Sequence, residues 1–139
     1  MSDAGNRPIL VIGLGCQRGC PASVLQGLIE VCLLEHGVSV RDISALASID
    51  SKSNEAGLLE LAEHMRLPLM FFSADELKIV ESQLSHRSPT AFAHTGCHGV
   101  AESAALVMAS RLSNGSASLL IERRNSSRAT FALAIGITA

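Results

Sequence analysis

Ile9-Leu10-Val11-Ile12 is an unbroken apolar run that ends at Gly13. Such a run leaves a strand with no polar face. It therefore reads as a central parallel strand, buried on both sides by covering helices. A loop over Gly13–Gly19 follows, and a helix starts near Pro21, where the missing N–H of proline suits a first turn. Val24, Leu25, Leu28, Ile29, Val31 and Cys32 give this helix a wide apolar face, and His36-Gly37 ends it.

The alternation continues. Val40–Ala47 reads as a weaker strand, Ser48–Ser53 as a polar loop, and Asn54–Arg66 as a helix with Leu58, Leu61, Ala62 and Met65 inward and Pro68 as its stop. Leu69–Phe72 is a third strand. Ser73-Ala74-Asp75-Glu76 has the spacing of a capping box, and the helix behind it carries Leu77, Val80 and Leu84. Ser85–His98 is the least regular stretch. Gly99–Leu112 is an alanine-rich helix suited to close packing, ended by Asn114-Gly115. Ser118–Glu122 and Ala129–Ile137 read as strands joined by the basic loop Arg123–Arg128, an antiparallel hairpin. In the last strand Thr130, Ala132 and Ala134 alternate with Phe131, Leu133 and Ile135, so one face is small and the other large. The expected fold is α/β in three layers: a mainly parallel sheet, helices on both faces, and a C-terminal antiparallel hairpin.

With 139 residues, the chain is the size of one domain, and residues 1–139 are expected to form one. Hydrophobic residues make up 47% and charged residues 17%, which excludes a disordered chain. A net charge of -2 provides no global field for nucleic acid or for an anionic membrane surface, and no segment is long enough to span a bilayer. A cytosolic protein is expected, with Cys16, Cys20, Cys32 and Cys97 reduced. Trp and Tyr are absent, so stacking on large aromatics is not the main means of holding a flat ligand.

In open α/β sheets, ligands collect at the carboxyl ends of strands. The loops Gly13–Gly19 and Ser48–Ser53 both leave such ends and both precede helix N-termini, which favour anions. Arg18 and Lys52 add full charges, and the expectation is that they meet at one carboxylate- or phosphate-binding rim. Gly13 and Gly15 match two glycines of the dinucleotide fingerprint, but the third position holds Arg18 and no P-loop is present. They read as well as a tight strand-to-helix turn. Lys52 and Glu55 read either as a surface ion pair, worth about 0–1 kcal/mol, or as an anion clamp in which Glu55 orients Lys52 or Arg18. Glu102, in the first turn of the alanine-rich helix, reads on its own as a partner of the helix dipole. His94, Cys97 and His98, with Cys16 and Cys20, have only loose metal spacing; no metal site and no cofactor is expected. Cys16 has a second reading as a nucleophile activated by a helix N-terminus.

Four segments carry a resemblance: Gly13-Leu14-Gly15-Cys16-Gln17-Arg18-Gly19, Leu46–Leu58 with Ser48, Asp50, Lys52 and Glu55, Gly99–Leu106, and Thr130–Ala134. In order and spacing, over nearly the whole chain, they resemble the CobE/CbiG C-terminal domain family of cobalamin biosynthesis. The larger members of that family are cobalt-precorrin hydrolases that open a lactone on the macrocycle and release acetaldehyde. The chain is similar to the stand-alone form, without the additional N-terminal domains. The family often has two basic residues after the Cys where this chain has Gln17 and Arg18, and a Lys after the fourth strand where Arg123 or Arg124 stands.

The resemblance implies a protein that binds a precorrin or hydrogenobyrinate-type tetrapyrrole, with other pathway enzymes as the second class of partner. It implies ligand-binding roles for Gly13, Gly15, Cys16, Arg18, Gly19, Ser48, Lys52, Glu102, Arg123 and Thr130. Two other readings accompany it: a precorrin-modifying hydrolase with Asp50 or Glu55 as general base, and a non-catalytic subunit of a pathway complex.

Overall fold

The computed structural model describes residues 8–137. Its five-stranded sheet has the order β3-β2-β1-β5-β4, with β1 at Ile9–Cys16, β2 at Ala45–Ile49, β3 at Leu69–Phe72, β4 at Ser116–Asn125 and β5 at Ala129–Ile137. β1, β2 and β3 pair in parallel, and the β4–β5 hairpin joins antiparallel beside β1. The helices are α1 (Ala22–Glu35), α2 (Ala56–Met65), α3 (Ala74–Leu77), α4 (Pro89–Thr95) and α5 (Val100–Ser113). The expected α/β class, with its parallel strands and C-terminal hairpin, is what forms.

The sheet separates two cores. On one face Leu10, Ile12, Leu14, Phe131 and Leu133 pack against Leu25, Ile29 and Cys32 of α1 and Leu58 and Leu61 of α2. On the other, Val11, Ala45, Ala47, Ile49 and Ala134 meet Ala104, Ala105, Met108 and Ala109 of α5. The large and small faces of β5 thus serve different partners. The capping box at Ser73 and Glu76 forms as its spacing predicts, with bonds of 2.8 and 3.1 Å.

Several boundaries differ from expectation. β1 continues through Gly13 and Gly15 to Cys16, because β5 supplies ladder partners along its whole length, from Ile9–Gly136 to Cys16–Ala129. Gly13 is therefore not a turn residue. A Cβ there would lie 1.8 Å from the Ala101 carbonyl oxygen, so the glycine admits the backbone of α5. Val40–Asp42 is a 3-10 turn, and β2 instead takes in Ser48 and Ile49. Val31 faces solvent while Leu33 is buried. The stretch read as irregular contains α4, capped by Ser88 with Pro89 in its first turn. Arg123 lies in β4 rather than in a loop.

Overpacked core positions cost about 1–3 kcal/mol, and the contact at Gly13 is with backbone that has no side chain to move aside. Gly13→Ala is expected to lose at least that much unfolding free energy. Gly27→Ala, within α1 with nothing near its added methyl, is expected to gain about 0.5–1 kcal/mol. Urea unfolding followed by far-ultraviolet circular dichroism measures both.

Candidate functional site

α5 begins over the carboxyl end of β1, with Ala101 against Gly13 and Val100 against Gly15. Beyond Gly13, the Gly15–Thr130 cross-strand pair, with Val100 of α5 beside it, becomes a floor. A pocket of about 420 Å³ stands on it. The first turn of α5, Gly99–Glu102, forms one wall, and Gly99 caps that helix without a side-chain hydrogen bond. Lys52 enters from the turn after β2, Arg123 and Arg128 come from the hairpin, and α4 contributes Ala91 and Thr95.

Glu102 is 1% exposed and is tied from three directions. Its carboxylate accepts the backbone N–H of Ser85 at 2.8 Å, the backbone N–H of Arg123 at 2.8 Å, and the Ser85 hydroxyl. The Arg123 N–H is free for this bond because the β4–β5 register slips between Ile121 and Arg124. The dipole reading of Glu102 is incomplete. The residue is a buried junction between α5, β4 and the segment before α4, and it also lines the pocket.

Of the residues predicted from sequence, Gly15, Cys16, Lys52, Glu102, Arg123 and Thr130 come together here. The others lie outside the lining. Gly13 is sealed under α5. Ser48 is buried and donates its hydroxyl to the Leu14 carbonyl at 2.7 Å, just past the last β1–β2 ladder pair. Asp50 is exposed, in the 3-10 turn Asp50–Lys52. Glu55 does not clamp Lys52. Its carboxylate accepts the Gly19 N–H at 2.9 Å, while Arg128 donates to the Gly19 carbonyl at 3.1 Å. Gly19 takes φ +77 in that turn, where a side chain would be strained. Arg18 leaves the same sheet edge as Lys52, since β1 and β2 are adjacent and parallel, but it is exposed and the pocket does not include it.

The cation that sequence reasoning missed is Arg128. The basic loop drew notice to Arg123 and Arg124. The strand's alternation separates those two, and Arg124 pairs instead with Glu35 of α1 at 2.6 Å. His98 is a second pocket residue without an assigned role, its Nδ1 3.3 Å from Glu81. Cys97 is buried with its thiol 3.5 Å from the Ser103 hydroxyl, and His94 is exposed on α4.

The activated-thiol reading of Cys16 fails on position: the residue ends a strand and does not begin a helix. Burial pushes its thiol up to about 11; Cys20 and Glu55 add to this, and Lys52 and Arg128 only partly oppose it.

The sequence profile described as Cobalamin synthesis G C-terminus matches residues 10–134. The chain belongs to this family. A Sinorhizobium protein named CobE is 42% identical over 125 residues, covering 90% of this chain and 79% of that one. A cobalt-precorrin-5A hydrolase of Priestia megaterium is 34% identical over 127 residues, covering 91% of this chain but 32% of the hydrolase. The chain thus spans about a third of the hydrolase's length. The crystal structure of CobE, a protein from the cobalamin biosynthetic pathway, superposes with a TM-score of 0.89 at 44% identity, over 92% of this chain and 93% of that one. The cobalamin biosynthesis protein chiG of Agrobacterium tumefaciens gives 0.71 at 25%, over 92% and 98%. Membership in cobalamin biosynthesis, expected from the four segments, is thereby established. Among the described residues no helix is long and apolar enough to cross a membrane.

Two outcomes check the site. An orphaned buried donor costs about 1–3 kcal/mol, so Glu102→Ala is expected to lose roughly 3 kcal/mol of stability. Glu102→Gln, which keeps one acceptor oxygen, should lose less. Urea titrations compare them. At pH 8 a thiol at about 11 is only about one part in a thousand thiolate, against roughly a quarter for a free cysteine. Iodoacetamide labelling of Cys16, followed by peptide mass spectrometry, should be slow at pH 8 and rise steeply with pH.

Proposed function

We propose that this protein binds the carboxylate-bearing edge of a corrin-type tetrapyrrole intermediate and holds it for other enzymes of the pathway. The observation that carries this reading is the meeting, in one pocket, of the uncapped N-terminus of α5 with Lys52, Arg123 and Arg128. The helix supplies free N–H groups and a partial positive charge. The three side chains supply full charges to a protein that is acidic overall. Corrin precursors are flat discs ringed by acetate and propionate arms, so several donors at one edge match them. Ligand pockets run from about 300 to 1,000 Å³. A pocket of 420 Å³ suits one edge of the disc, with the rest projecting outside. Each charged hydrogen bond contributes about 1.5–3 kcal/mol, and three reach micromolar binding after the entropy cost of association.

The name of the hydrolase relatives keeps a second reading in view, in which the ligand is hydrolysed. Neither carboxylate first considered as its base supports this reading: Glu55 is spent on Gly19 and Asp50 lies outside the pocket.

Gel filtration with hydrogenobyrinic acid or an earlier intermediate, followed at visible wavelengths, tests the proposal. Co-elution of pigment of unchanged mass is expected. Altered mass or released acetaldehyde favours the hydrolase, and no co-elution leaves the protein as a subunit of a complex. Lys52→Ala should weaken capture about tenfold or more. Arg18→Ala should leave it within about twofold, as expected for an exposed charge away from the ligand.

A further inference from the structure

We infer that His98 is a further ligand-binding residue of this pocket, an imidazole that attracts a carboxylate only in its protonated form. The inference rests on the carboxylate-binding reading of the pocket and adds a residue and a pH dependence to it.

His98 directly precedes Gly99, the N-cap of α5, and lines the pocket. Three contacts hold it. Its backbone carbonyl accepts the Ser88 N–H at 2.9 Å. One ring face is covered by Phe92, with ring centroids 4.4 Å apart and planes 19° apart. Its Nδ1 lies 3.3 Å from Glu81 Oε2. An ionised carboxylate only accepts, so the Glu81 contact places a proton on Nδ1. Nε2 has no hydrogen-bond partner among the described residues. In the neutral ring Nε2 then carries a lone pair, which repels a carboxylate. In the imidazolium it carries an N–H, which donates to one. Protonation thus reverses the sign of this contact without moving the ring.

The surrounding charges favour an anion at that position. Lys52 follows β2, and Arg123 and Arg128 come from the hairpin. The acidic groups are already engaged: Glu81 on His98 itself, and Glu102 on Ser85 and the Arg123 N–H. Cys16 is held protonated and neutral by burial. His94 on α4 and His86 are exposed and outside the lining; His86 Nδ1 lies 2.7 Å from the Ser85 hydroxyl, which donates to Glu102.

The test titrates the full chain with hydrogenobyrinic acid near pH 8 and near pH 6, reading visible absorbance, for wild type, His98→Gln and Glu81→Gln. Thermal melts confirm folding. Wild type should bind more tightly at the lower pH, with a ratio of affinities about tenfold larger than that of His98→Gln, which gains no charge. The ligand's own carboxylates titrate alike in both and cancel in the comparison. Glu81→Gln no longer dictates the tautomer and should shrink the ratio; it carries the test should His98→Gln not fold. Pigment binding with the same pH ratio in wild type and variants overturns the role of His98 and leaves the proposed function standing. No pigment binding at either pH overturns the proposed function itself.

Discussion

The backbone of α5 lies directly on β1 at Gly13, where any side chain would collide with the Ala101 carbonyl. Most of what distinguishes this domain follows from that approach. A helix that packs so close needs a sheet face of small residues, and Ala45, Ala47 and Ala134 provide it. The same approach fixes where α5 begins relative to the strand ends. Its first turn lies over Gly13 and Gly15, and the pocket opens beside it at the last part of β1 and the start of β5. The pocket lies between a helix N-terminus and the end of the strand pair it packs on.

Around that opening, each charge is placed by an element whose position is set elsewhere. Glu102 shows the coupling most directly. Its carboxylate holds an N–H that a slipped strand register has released, and so ties the hairpin to the helix that roofs the sheet. Arg128 and Glu55 grip the two sides of Gly19 and hold the turn after β1 against the hairpin tip and the start of α2. These are interactions of groups far apart in sequence, and they rigidify the rim on which Lys52, Arg123 and Arg128 stand. A polyacid meeting such a rim loses less entropy than one that must order it.

Much of this was legible beforehand. The strand at Ile9, the strand at Leu69–Phe72, the capping box at Ser73 and the terminal hairpin announce themselves through local rules of apolar runs, caps and turns. Six residues expected at a ligand site line one pocket: Gly15, Cys16 and Lys52 were expected because ligand sites in such sheets gather at strand carboxyl ends, and Glu102, Arg123 and Thr130 through the family resemblance. The failures share one cause. Gly13 reads as a turn glycine until the helix that needs its missing side chain is known. Arg18 and Lys52 follow adjacent strands and look equivalent until the pocket is seen to open toward only one of them. Arg124 and Arg128 exchange importance once the strand's alternation and Glu35 are in place.

By itself the sequence determined the α/β class, the parallel first half, the antiparallel hairpin and the strand edge at which the pocket opens, since these depend on periodicity and chain direction. Only the tertiary structure decided which cations face one another, that Glu55 accepts a backbone N–H instead of clamping Lys52, that Glu102 joins three elements, and that His98 is pinned by Glu81 and Phe92. Those outcomes depend on contacts across tens of residues, where register and close packing set distances that no local pattern encodes.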